Sequence, residues 1–176
     1  AGSAQLSLFQ YNLEIYGDFF GPSTSIFSGV DPDITPGSLT VYGSVVAQEI
    51  NLDANVPATL SIYGGQIVIR GNVSVALSIS SNSAGPSTGG GTITIYGHCQ
   101  AGNITALGSS DGLGGGIGGN ITFKSTAQVD GQVSAAGGQG ASGCLDPDRR
   151  SDRRPGLGRG SAGPQGPAQG LETPGR

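Results

Sequence analysis

The residues best suited to chemistry in this chain sit side by side. His98, the single histidine, precedes Cys99 in the segment YGHCQAG. A cysteine nucleophile needs an imidazole within hydrogen-bond reach of its sulfur. Adjacent residues of a strand point to opposite faces, so this pair is poorly placed for that work. The expectation is one side chain in and one out, at a corner. Cys144 is the only other cysteine, too few for a disulfide framework or a zinc site. One bridge and two free thiols are both open. No Walker loop, dinucleotide fingerprint or metal-ligand cluster occurs in the sequence. No catalytic residue, metal or cofactor is expected, and the chain is expected not to be an enzyme.

Charge narrows the partners. Residues 1–143 hold eight acids (Glu14, Asp18, Asp31, Asp33, Glu49, Asp53, Asp111, Asp130) against Arg70 and Lys124, a net of −6. Residues 144–176 hold four acids and six arginines, a net of +2, so the whole chain carries −4. An acidic body does not neutralise phosphates, so no nucleic-acid partner is expected. No apolar run is long enough to span a membrane as a helix. The chain opens on the small residues Ala-Gly-Ser-Ala without Met, as a product of signal cleavage or a trimmed segment would. The first alternative places it outside the cell.

What positions these residues follows from composition and repeats. Gly supplies 34 of 176 residues, a level that points to collagen, disorder or a turn-rich fold. Collagen needs Gly at every third position, which residues 1–143 lack. Disorder needs low hydrophobicity or high net charge, which the same stretch also lacks. Alternating Ile, Val, Leu, Ser and Thr leave an all-β fold.

One pattern recurs: LEIYG from Leu13, LTVYG from Leu39, LSIYG from Leu60, ITIYG from Ile93, and the degenerate ITFKS from Ile121. The spacings are 26, 21, 33 and 28 residues. A second pattern reads GNVSV from Gly71, GNITA from Gly102, GNITF from Gly119 and GQVSA from Gly131. A single such unit cannot enclose a core, but stacked units bury their aliphatic positions in continuous columns. An antiparallel sandwich explains the alternation but not a motif with the same residue roles each time.

The IxIYG…GNIT…GG rhythm, over roughly residues 10–140, resembles the right-handed parallel β-helix of secreted bacterial surface proteins such as adhesins and autotransporter passengers. The resemblance implies a single-domain parallel β-helix or solenoid. About five rungs are expected within residues 1–143, with residues 1–30 as an N-terminal cap and first rung. Glycine is expected at rung corners for φ > 0. The Gly/Ser-rich loops from Ser81 and Ser109 are expected to protrude. Hydrolases and lyases acting on polysaccharides also use this fold, but they need clustered acids on one face. Here the acids are scattered.

Alternation turns the residue before each Tyr into the core and the Tyr outward. An outward row of Tyr16, Tyr42, Tyr63 and Tyr96 is expected, ending in Lys124, beside Thr40, Thr94 and Thr122. Such a row is a candidate interaction surface. The same residues could instead stabilise their own sheet by cross-strand pairing. Asn72, Asn103 and Asn120 each begin an Asn-x-Ser/Thr sequon. Their shared repeat slot points first to stacked structural roles, with glycosylation as the alternative. GGIGGNITF from Gly115 approaches a calcium-binding nonapeptide but has Asn120 where Asp belongs, and is read as a turn.

Residues 144–176 form a Pro/Gly/Arg-rich extended tail. Its Arg149, Arg150, Arg153 and Arg154 are candidates for docking on the solenoid of this or another copy; a linker foreign to the body is the alternative. The expected function is a secreted, non-enzymatic structural protein that self-associates into a homo-oligomer or filament. An adhesin or module binding surface glycans through the Tyr and Thr rows is the second expectation.

Overall fold

The computed structural model describes residues 3–28, 36–54, 62–85, 88–109 and 115–138. The chain divides into two units, Ala1–Gly143 and Cys144–Arg176, and all described residues belong to the first. They contain twelve strands: β1 (Ala4–Ser7), β2 (Leu13–Ile15), β3 (Phe19–Phe27), β4 (Ser38–Val41), β5 (Val45–Asn51), β6 (Gln66–Ile69), β7 (Val73–Ser80), β8 (Thr92–Ile95), β9 (Cys99–Thr105), β10 (Asn120–Phe123), β11 (Ala127–Val129) and β12 (Val133–Ser134). No helix occurs among them.

From β2 to β11 successive strands alternate between two sheets. One sheet stacks β2, β4, β6, β8 and β10; the other stacks β1, β3, β5, β7, β9 and β11, with β12 also on β9. Every ladder between these strands is parallel. The chain is therefore a parallel β-solenoid, with about four turns from β2 to β10.

Period-2 alternation decides which residues enter the core. In β4 and β8 the burial alternates residue by residue. Register then stacks like on like: Leu13, Leu39, Ile67, Ile93 and Ile121 form one column. Ile15, Val41, Ile69, Ile95 and Phe123 form the next. The opposite sheet contributes Ile26, Ile50, Ile79 and Ile104, with Val133 in register at the end of the column but exposed. Ile67, Ile69, Ile93 and Ile95 are fully enclosed, each worth roughly 1.5–3 kcal/mol relative to exposure. The long strands shift register at the same place in three successive pairings, between Gly21 and Ser25, Ala47 and Ile50, and Val75 and Ser78. Such an irregularity bends a strand.

The repeat differs from the motif spacing in one unit. Leu39 pairs with Ile67, not with Leu60, so the third copy of the motif is IVIRG. Stacked positions are then 26, 28, 26 and 28 residues apart. Leu60 and Ser61 lie outside the described residues. Ile62 forms an isolated antiparallel bridge with Ala84 and packs in a small cluster with it and Ala54. The FFGPSTSIF stretch, non-repetitive in sequence, is a full ladder strand, β3, in register with β5. The described part of the loop from Ser81 does not protrude, since Ser81, Ala84, Gly85 and Thr88 are buried, and residues 110–114 of the loop from Ser109 lie outside the described residues. The Thr88 hydroxyl meets the Ala84 carbonyl at 3.0 Å and the Ser109 hydroxyl at 3.2 Å, which removes the cost of burying it.

Glycine serves close approach more than turn geometry. Among the described glycines only Gly85 has positive φ. Gly17, Gly43, Gly71 and Gly97 stack where the chain leaves each short strand. A Cβ on Gly71 would fall 2.5 Å from the Gly43 carbonyl carbon, whereas one on Gly17 meets nothing within 4 Å. Gly71→Ala is therefore expected to cost about 1–3 kcal/mol by overpacking. Gly17→Ala should be neutral or slightly stabilising. Urea denaturation of the two variants distinguishes the cases.

Candidate interaction surface at the strand ends

The residue after each inward aliphatic position faces solvent, and the parallel register piles these residues into one row. The row reads Tyr16, Tyr42, Arg70, Tyr96, Lys124, since their neighbours Ile15, Val41, Ile69, Ile95 and Phe123 are stacked partners. Tyr63 is not in it. Arg70, placed there by the IVIRG unit, was missed by the sequence pattern, and the outward rank beside it holds Val68 in place of Ser61.

The row consumes much of its own binding capacity. Tyr16 and Tyr42 stack with ring centroids 4.8 Å apart and 4° between planes, matching the spacing between strands. The Arg70 guanidinium lies 5.3 Å from the Tyr42 ring and 5.4 Å from the Tyr96 ring, a cation held between two aromatic faces. The Tyr16 hydroxyl donates to Glu14 Oε2 at 2.6 Å. That bond, with the carboxylate's charge, raises the Tyr16 phenol above its ordinary pKa. Tyr16 is 79% exposed against about 40% for Tyr42 and Tyr96, so the end of the row at Tyr16 is its open face.

Polar columns hold the connections between sheets. Asp18 Oδ1 accepts the Ser44 N–H at 2.6 Å, the Ser44 hydroxyl accepts the Asn72 N–H at 3.2 Å, and Asn72 Oδ1 accepts the His98 N–H at 2.9 Å. His98 Nδ1 then meets the Thr126 hydroxyl at 2.7 Å. The Asp18, Ser44 and Asn72 side chains thus each satisfy a backbone donor one level on, where no ladder bond is available, and His98 ends the column on a side-chain hydroxyl. Asn103 does the same for the Gln132 N–H at 2.9 Å. The three sequon asparagines do not share a slot. Asn72 precedes β7, Asn103 lies inside β9 and Asn120 opens β10 in the other sheet.

Asp53 is the most constrained carboxylate among the described residues. Its Oδ1 accepts the Asn82 N–H at 2.6 Å, and Oδ2 accepts the Ser80 hydroxyl and Asn82 Nδ2 at 3.1 Å each. Burial pushes its pKa above the ordinary carboxylate value, and these bonds oppose the shift only in part. Cys99 and His98 face apart: Cys99 is a free, fully buried thiol in the core column and His98 is exposed. Burial pushes the Cys99 pKa up to about 11. Among the described residues no three His, Cys, Asp or Glu side chains converge on a common point. None of the described residues forms a helix long and apolar enough to cross a membrane. Arg149, Arg150, Arg153 and Arg154 lie outside the described residues.

The two ends of the core are less complete than its middle. Leu6, Leu13, Ile15 and Phe19 at one end, and Ile121, Phe123 and Val129 at the other, are only partly buried. Phe9, Tyr11, Tyr16 and Phe20 are exposed around the first end. Comparisons with family models, with curated proteins and with solved structures found no match.

Three outcomes follow. Arg70→Ala should lower stability by about 1 kcal/mol through its two cation–π contacts, whereas Tyr63→Ala, outside the row, should not act through it; denaturant midpoints measure both. Because the folded-state pKa of Asp53 is raised, its contribution to stability is complete below the ordinary carboxylate value and is lost as pH rises through the raised value. Midpoints of the native chain, compared with Asp53→Asn across pH 3–7 (roughly from below the reference carboxylate pKa to well above it), should show that decline in the native chain only. Finally, Cys99 should resist a thiol reagent at mildly alkaline pH in the folded chain and react once urea unfolds it.

Proposed function

We propose that the chain is a non-enzymatic structural protein of the cell exterior, a subunit that assembles with copies of itself through the ends of its solenoid. The observation that carries this reading is the pair of open strand edges at the ends of an otherwise enclosed stack. On the far sides of β2 and β10 no described strand pairs, and both present partly buried core residues at those edges. An unpaired parallel edge offers backbone donors and acceptors to any strand with matching alternation. A head-to-tail contact between identical subunits need not close, so it extends into a rod. The acidic composition of residues 1–143 and the internally satisfied polar columns fit a scaffold better than a reactive surface.

A second reading, binding of surface glycans by the outward rows, is favoured by Tyr16, Tyr42 and Tyr96 standing beside Thr40, Thr94 and Thr122. It is the weaker because Arg70 already covers faces of Tyr42 and Tyr96.

Light scattering and negative-stain electron microscopy of the full chain at increasing concentration test the first reading. Rods that lengthen with time are expected, with a rise of about 24 Å per copy from five strand spacings. Lys124→Glu at the exposed end of the row should slow their growth. A monomer at every concentration overturns the reading.

A further inference from the structure

The first end of the solenoid is not level. β1 covers only Thr24–Phe27 of β3, leaving Phe19–Gly21 and the whole of β2 without a described partner on that side. At the other end β10, β11 and β12 together make a complete level. We propose that the last level of one copy docks on β2 and β3 of a second copy in one register, and that β1 must leave its place for this to happen. The inference rests on the assembly reading above and names the surface and its control.

The register follows by continuing each column one step. Ile121 and Phe123 of one copy would meet Leu13 and Ile15 of the second, apolar on apolar. In the other sheet Ala127 would meet Phe19, and Val133 would meet Ile26. Outside the core, Thr122 would meet Glu14. Lys124 would come to rest on the open face of Tyr16, beside the Glu14 carboxylate. The row would then run Tyr, Tyr, Arg, Tyr, Lys and begin again, with each cation between aromatic rings. Complementary charge and an aromatic platform thus coincide at Tyr16, the most exposed aromatic ring of the row.

One element stands in the way. Leu6 of β1 pairs with Ile26 in the same position that Val133 of the docking copy needs. Both cannot occupy it. β1 is held less fully than the inner strands: it has a neighbour on one side only and Leu6 is partly buried, although Leu8 just beyond it is buried in the core, donates its N–H to the Phe27 carbonyl at 2.9 Å, and must leave with it. Ala4 and Gln5 are exposed, and the Ser7 hydroxyl is buried with no hydrogen-bond partner among the described residues. An unsatisfied buried hydroxyl favours any state that returns it to water. Just beyond β1, Phe9 holds φ at 48°, a left-handed conformation unfavourable for a bulky side chain. Departure of β1 would return the Ser7 hydroxyl to water.

The full chain tests this through a reversible lock. Gln5 and Ser25 are register partners on adjacent parallel strands, outward of the core, at a spacing that accepts a disulfide. Gln5→Cys with Ser25→Cys, in a Cys144→Ser background, ties β1 down; Cys99 is buried and should not compete. Oxidised, this variant should form no rods, and reductant should restore growth. Leu6→Asp, which should loosen β1 without touching the docking residues, should raise the initial rate of growth at least fivefold. Rods from the oxidised lock at the unlocked rate overturn the role of β1 while leaving assembly itself standing. Absence of rods from every variant and from the native chain overturns the assembly reading and this inference together.

Discussion

Parallel, in-register stacking is the constraint on which the rest depends. Each residue sits against the corresponding residue one level away, at the strand spacing. A position is therefore chosen for compatibility with its own kind. An aliphatic column is enclosed along its length, while a backbone donor between the sheets must find its acceptor on the next level. The polar chain from Asp18 through Ser44, Asn72 and His98 to Thr126 is the solution at one connection. The glycines at 43, 71 and 97 are another, because a Cβ there would overlap the backbone one level away.

The same constraint makes the outward row a structural device. Rings 4.8 Å apart stack, and a guanidinium fits between two of them in place of a ring. Had four tyrosines and no cation occupied the row, its exposed faces would have made a stronger case for a ligand. With Arg70 inserted, the middle is satisfied internally and the unsatisfied surface moves to the ends. There the core columns are half open and the row terminates in Tyr16 on one side and Lys124 on the other. A fold built by repeating one contact presents, at each end, half of that contact.

The architecture was legible because stacking imprints a repeat on the sequence. Alternation and the recurring Tyr-Gly led to a parallel solenoid and to its core residues. What escaped was one unit. LSIYG matches the motif letter by letter, yet IVIRG occupies the ladder. The signal lay in the spacing: 28 residues beyond Leu39 fall on Ile67, and irregular intervals of 21 and 33 were the warning. Tyr63 was drawn into the row by resemblance, and Arg70 was left out because a cation does not resemble an aromatic. The sequons misled similarly, since Gly-Asn-x-Thr recurs at places whose backbone roles differ. The small polar residues of the loop from Ser81 suggest protrusion, but Ser81, Ser83 and Thr88 bond their hydroxyls to carbonyls and to the Ser109 hydroxyl. The open ends and the one-sided pairing of β1 had no signal in composition or motif, because they arise from where the stack starts and stops within the described residues.

The central claim is that the ends of the stack join in the register that continues its columns. Disulfide trapping in solution tests it directly. Copies carrying Thr122→Cys are mixed with copies carrying Glu14→Cys, both with Cys144→Ser, and oxidised. The account predicts a covalent dimer of the two kinds, and none when Thr40→Cys replaces Glu14→Cys, because Thr40 lies one level inside the stack. Equal trapping of both pairs, or of neither, would contradict it.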